Sequence, residues 1–182
     1  MQFSFDVHLN DDDYYALNEF AAFKSTSGKK RLLCSRLLWA ALFGIAILYV
    51  FLRNDAMTVK IITASVGFIG LVIFELLLPK FMRSSLKRNI AALKKDGKLA
   101  YSPEAHMEFY NDYFVEITEE RKSEESYSGV EKISVWKNRY IYLHTDSIRA
   151  FIIPWASFAS DEDRSRFIDF LSGKCPVVNQ YE

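Results

Sequence analysis

Few residues in this chain could do chemistry, and they lie far apart. They are three histidines (His8, His106, His144), two cysteines (Cys34, Cys175), the acidic run Asp11-Asp12-Asp13, and one acid, Glu75, inside an apolar stretch. A zinc protease needs two histidines on one helix face with a glutamate between them, a serine hydrolase its nucleophile on a GxSxG turn, and a nucleotide site a glycine-rich phosphate loop. None of these spacings occurs, and neither does CxxC. All three histidines fall in stretches that read as strands, where structural or solvated histidines far outnumber catalytic ones. The acidic run lacks further acids at ligand spacing, so it reads as an N-cap whose charges favour a helix start rather than as a metal site. The expectation is no catalytic set, no metal, no cofactor and no enzyme.

Composition looks soluble on average, with 25% charged residues and 23 basic against 23 acidic side chains. The average conceals a segregation. Apolar residues concentrate between Leu32 and Leu78, while nearly all the acids lie outside that interval, so two different solvents are implied. A net charge of zero removes the electrostatic footprint of a nucleic-acid binder, and nucleic acid is not expected as a partner. Two distant cysteines make no disulfide framework and read as reduced thiols. Cys34, beside the apolar interval, reads as a small apolar residue in preference to a lipidation site. The opening Met-Gln-Phe-Ser-Phe-Asp has no basic region leading into an apolar one, so no cleavable signal peptide is expected.

From Leu37 to Leu52 the chain is wholly apolar, small or aromatic, and it extends back through Leu32 if Ser35 and Arg36 lie at headgroup level. A second run, Ile61 to Leu78, ends at Pro79 after a short polar connection from Arg53 to Lys60. About 20 residues cross a bilayer, and two such runs in tandem predict a transmembrane hairpin. Lys24, Lys29, Lys30, Arg31 and Arg36 precede it and Lys80, Arg83, Lys87, Arg88, Lys94 and Lys95 follow it, against Arg53 and Lys60 in the loop. The positive-inside rule then puts both termini in the cytoplasm and the loop outside.

A short connection forces the two helices antiparallel and pairs positions whose numbers sum to about 113. That register brings Ala40, Gly44 and Ala46 to the depth of Ser65, Gly67 and Gly70, where small residues would let the backbones approach. It also brings Glu75 near Arg36. With no second buried acid or histidine to relay a proton, an interhelical ion pair is the expected role, and Thr63, Ser65 and Glu75 alone are too few to line a transport path. Beyond Pro79, Met82, Leu86, Ile90 and Leu93 form an apolar stripe on a helix with Lys80, Arg83, Lys87 and Arg88 on its other faces. This predicts a basic juxtamembrane helix near anionic lipid, stopped at Gly97.

Outside the apolar interval, Phe3, Phe5, Val7 and Leu9 alternate with polar residues as a strand, and Tyr14, Leu17, Phe20 and Ala21 recur at helical spacing until Ser25 to Gly28 breaks the pattern. The C-terminal third predicts strands over His106–Tyr110, Tyr113–Thr118, Lys122–Tyr127, Lys132–Trp136, Arg139–His144 and Ile148–Ile153. A helix follows, capped by Ser160 with Asp163 three residues on, burying Phe167, Phe170 and Leu171 and stopping at Gly173. Several antiparallel strands closed by one helix describe a small barrel-like domain. The predicted divisions are 1–31 (strand and amphipathic helix), 32–79 (hairpin), 80–98 (basic helix), 99–174 (β domain) and 175–182 (tail).

The order of these features resembles the YcxB-like proteins of bacteria, membrane proteins with an N-terminal strand, a membrane hairpin and a C-terminal domain related to bacterial pleckstrin-homology-like modules. The resemblance rests on FSFDVHLNDDDYYALNEF, on KSTSGKK, and above all on WKNRYIYLHTDSIRAFIIPWASFASDEDRSRFIDFL, including Tyr140 to Leu143, Ile153-Pro154, Phe158 and the helix from Asp161. These motifs are structural and carry no active site. Where the family often has a lysine after Ile-Pro, this chain has Trp155, which removes a basic residue that could bind phosphate. The resemblance implies an α+β membrane protein with a pleckstrin-homology-like cytoplasmic domain. The function expected is non-enzymatic binding of a protein or lipid partner at the membrane, with homo-oligomers allowed. A second reading is an immunity protein that neutralises a membrane-acting or secreted toxin.

Overall fold

The computed structural model describes residues 1–53, 56–97, 101–146, 149–175 and 177–182. The fold is α+β, with two long apolar helices and two sheets that are mainly antiparallel. The chain divides into two compact units: residues 1–18 with 93–182, and residues 19–92.

The first unit holds every strand. Four of them, β1 (Phe3–His8), β2 (Glu104–Phe109), β3 (Tyr113–Ile117) and β4 (Lys122–Ser126), form an antiparallel sheet in chain order. The first strand therefore belongs with the distant C-terminal third, pairing Phe3 with Phe109 and His8 with Glu104. The second sheet has the order β7 (Ala150–Pro154), β6 (Tyr140–His144), β5 (Lys132–Trp136) and β8 (Val178–Tyr181). Period-2 alternation explains the layers: Ile133, Val135, Ile141, Leu143 and Ile153 point into the shared core with Val7, Met107, Phe109 and Phe114. Helix α4 (Asp161–Ser172) closes one end. Ser160 caps it, its Oγ accepting the Asp163 backbone N–H at 3.1 Å, and Phe167 packs edge-on to Phe3, Phe5 and Phe109.

Two expectations are corrected here. The sheets do not close into a barrel, because each keeps its own edges. Edge strand β4 carries the exposed charges of Lys122 and Glu124, which take up water instead of a neighbouring strand. The segment expected as a tail contains β8, which pairs in parallel with β5 from Ile133↔Val178 to Trp136↔Tyr181. The predicted strand start at Ile148 lies outside the described residues, as do positions 98–100 at the predicted domain boundary.

Helix α1 (Asp11–Glu19) begins in the first unit. The cap is Asn10 and not one of the aspartates expected there: its Oδ1 accepts from the Asp12 and Asp13 N–H groups at 2.8 and 3.1 Å, and the acidic run fills the first turn, where its charges favour the helix dipole.

In the second unit a π-helical turn, Phe20–Lys24, leads to α2 (Thr26–Leu52, 27 residues), and α3 (Met57–Lys95, 39 residues) follows. The expected break over Ser25 to Gly28 shrinks to Ser25 alone. Its hydroxyl accepts the Gly28 N–H and donates to the Ala21 carbonyl, both at 2.9 Å. Gly28 is required there, since a Cβ would sit 2.1 Å from the Ala21 carbonyl oxygen. Both α2 and α3 are long and apolar enough to cross a membrane, and no residue in the most apolar stretch of either is buried.

Pro79 does not end the second span as expected; it lies inside α3, which runs on to Lys95. A proline costs a helix one hydrogen bond and some crowding near the carbonyl four residues back, about 3 kcal/mol. The unbroken stripe of half-buried side chains, Leu78, Met82 and Leu86 leading to the buried Ile90, favours continuing the same helix.

Candidate functional site

Three arrangements bring polar chemistry together, each within one unit. In the helical unit, Arg36 Nε lies 3.0 Å from Glu75 Oε2, with side chains 41% and 29% exposed. The antiparallel register that brings them together also sets Trp39 against Phe74, with ring centroids 5.2 Å apart. The small residues behave differently from expectation. Ala40, Gly44 and Ser65 are exposed, and a Cβ added to Gly44 or Gly70 would meet nothing within 4 Å. Of these glycines, among the described residues, Gly67 faces the other helix, with Ile47 Cγ1 3.8 Å from such a Cβ. On α2 it is the large side chains of Arg36, Trp39 and Ile47 that meet α3, at Glu75, Phe74 and Gly67.

Among the residues expected to face lipid, Lys80, Lys87 and Arg88 are exposed. Arg83 is engaged within its own unit: its Nε donates to Glu19 Oε1 at 3.0 Å and its guanidinium lies over the Phe23 ring at 5.2 Å. Cys34 is exposed and Cys175 buried, and both are free thiols.

On the outer face of β1 and β2 the sheet register creates a set that sequence spacing could not show. His106 Nδ1 is 2.7 Å from Asp6 Oδ1, and its Nε2 is 2.9 Å from Ser4 Oγ. A serine hydroxyl, an imidazole and a carboxylate in that order can in principle activate the serine as a nucleophile. The setting opposes it. The face is exposed, with His106 40% and Asp6 71% accessible, so water competes for every bond and no low-dielectric pocket surrounds the hydroxyl. A cross-strand polar network that fastens edge strand β1 to β2 accounts for the geometry. His8, two residues on, only approaches Glu104, at 4.0 Å.

His144 is buried, within hydrogen-bond distance of Ser134 Oγ at 3.2 Å. Burial, with a smaller contribution from the Lys132 charge, pushes its pKa down to about 4, so it stays neutral. On the same face of β6, Tyr140 donates to Asp13 Oδ1 at 2.8 Å, and burial first, then that carboxylate, raise its phenol to about 12.

The third arrangement is a cleft of about 480 Å³ at the end of the sandwich that α4 does not reach. Its floor includes Val7, Ala105, Met107 and Phe151; Glu116, Ser123 and Glu125 reach it from β3 and β4, and Arg149 from just before β7. Arg121 Nη2 donates to Glu116 Oε2 at 3.1 Å, where that carboxylate side chain is only 14% exposed. Near the mouth Tyr101 stacks on Tyr14 at 5.3 Å and donates to Asp11 Oδ1 at 2.6 Å. Desolvation and that hydrogen bond hold its phenol well above the usual range, while Lys94 and Tyr101 hold the Asp11 carboxyl below its own.

No group of three or more metal-ligating side chains assembles among the described residues. No family model, curated protein or solved structure matches the chain.

Proposed function

We propose that this chain is a membrane-anchored, non-enzymatic binding module of the YcxB-like kind. Its two long helices form a hairpin in the bacterial inner membrane, and its β unit, together with both termini, lies in the cytoplasm, where it binds a protein or lipid partner. The observation that carries this reading is the exposure of the helices. Leu52 is 77% and Leu76 70% exposed, with Leu37, Leu38, Ile45, Leu48, Phe68 and Ile69 also bare. An apolar surface of this extent far exceeds the few hundred Å² that a water-soluble monomer tolerates, and hydrocarbon is the solvent that suits it. The excess of lysine and arginine on both flanks supports the orientation.

The strand sequence supports the pleckstrin-homology-like reading of the β unit: four antiparallel strands, then three, then a closing helix, with the hairpin inserted after β1. Binding is favoured over catalysis because the one triad-like set lies open to water, while the unit offers a cleft and extended faces. Two spans raise the local concentration of the module for other membrane-bound molecules.

Chemical crosslinking in intact membranes, followed by purification of the full chain, tests the reading. It predicts a recurring adduct with one cytoplasmic or inner-leaflet protein or lipid. Recovery of the chain unlinked, or linked only to itself or to molecules of the outer face, would contradict it.

A further inference from the structure

The inner face of the first sheet departs from the rule that a sandwich buries apolar side chains. Cross-strand partners share a face, so the register carries inward orientation from the core residues of β2 across to β4. Phe109 pairs with Phe114 and Phe114 with Glu125, while Met107 pairs with Glu116 and Glu116 with Ser123. The rows therefore run from buried aromatic and methionine side chains to two carboxylates and a hydroxyl, and Met107, Glu116, Ser123 and Glu125 line the same cleft.

Inward charge on an edge strand can serve only to discourage edge-to-edge aggregation, and Glu125 on β4 alone would fit that use. Glu116 does not. It lies on β3, paired on both sides, and its carboxylate side chain is 14% exposed. A polar group placed inside against its folding cost, beside a cavity of ligand size, is where a binding site is expected.

Charge at the cleft narrows the occupant. Two carboxylates and two guanidiniums line it. Arg121 already neutralises Glu116. Glu125 and the Arg149 guanidinium have no hydrogen-bonded or ion-paired partner among the described residues; Arg149 uses only its backbone N–H, which donates to Asp146 Oδ1 at 2.6 Å. What remains is one unmatched negative and one unmatched positive group above an apolar floor. We propose that the cleft binds a small zwitterionic amphiphile, its cationic group at Glu125, its anionic group at Arg149 and its apolar body over Val7, Met107 and Phe151. This deepens the binding reading above by naming the ligand class. An aminophospholipid headgroup region and a free apolar amino acid present the same chemistry.

The test uses the full chain in nanodiscs of phosphatidylglycerol, which carries no zwitterion, and isothermal titration calorimetry corrected with empty discs. The probes are dihexanoyl phosphatidylethanolamine and leucine as zwitterions, with hexylammonium and hexanoate as singly charged controls. At least one zwitterion should bind saturably and more tightly than both controls. Glu125→Gln and Arg149→Gln should each weaken it roughly tenfold or more, the loss of one charge-assisted contact. Lys122→Gln, a charge change on the outer face of the same strand, should leave binding unchanged, and unaltered thermal unfolding would show that the variants remain folded. Binding of the phospholipid alone assigns the source to the membrane, and binding of leucine alone assigns it to a soluble metabolite; both uphold the cleft. Equal binding of a singly charged control, or affinities untouched by both cleft variants, overturns the inference. If crosslinking still recovers a specific partner, the anchored-module reading survives that failure.

Discussion

Arg36 and Glu75 stand 3.0 Å apart across the two long helices, the one ion pair joining α2 to α3 among the described residues. Under the proposed membrane reading a charge without a partner is costly there, so each group makes the other tolerable. Replacing either alone, as in Arg36→Leu or Glu75→Leu, should destabilise the hairpin more than replacing both. The coupling from a double-mutant cycle should be about 0.6–1.7 kcal/mol, the range for polar contacts between membrane helices. Thermal unfolding of the four proteins in one detergent checks this, and additive effects would show that the pair contributes nothing.

The entry to α2 depends on two small residues. Gly28→Ala places a methyl 2.1 Å from the Ala21 carbonyl oxygen, a clash with backbone that side-chain rotation cannot relieve. It should cost about 1–3 kcal/mol, as overpacking does. Ser25→Ala removes the cap and should cost about 1 kcal/mol. Both should speed proteolysis between Phe20 and Arg31 while leaving the β unit's unfolding transition in place, and limited trypsinolysis would detect the difference.

His144 gives the β unit a pH dependence of definite sign. Its folded pKa lies near 4 against 6.5 for the unfolded chain, so below 6.5 the unfolded state takes up a proton that the folded state refuses. Stability from this residue is complete above pH 6.5 and falls as pH drops from about 6.5 to about 4, with a slope of up to about 1.4 kcal/mol per pH unit. Lys132, its cross-strand partner, adds to the penalty on a charged imidazole. Denaturant midpoints measured across that window should fall for the native chain and flatten for His144→Gln. An equal slope in both would remove His144 from the account.

Much of the fold could be read from local pattern. The span Lys132–Trp136 was legible because β-branched and aromatic residues end at the Lys137-Asn138 turn, where both residues have positive φ. The closing helix was legible from Ser160 and Asp163. What depended on distant partners was not. Strand β8 is four residues long and exists through pairing with β5, more than forty positions away; its only local signal is the β-branched pair Val177-Val178. The Ser4–His106–Asp6 network and the inward Glu116 arise from cross-strand register, which the sequence does not display. The hairpin's register followed from the short connection, but which face of α2 meets α3 did not, and the exposed Gly44 drew attention to the wrong one. Pro79 shows that a strong local breaker yields when the same apolar stripe continues on both sides of it.

The central claim is that α2 and α3 reside in hydrocarbon. Alkaline carbonate extraction of membranes from cells producing the full chain tests it most directly. The account predicts that the chain stays in the membrane pellet and is released only by detergent; a monodisperse, folded chain in the detergent-free supernatant would contradict it.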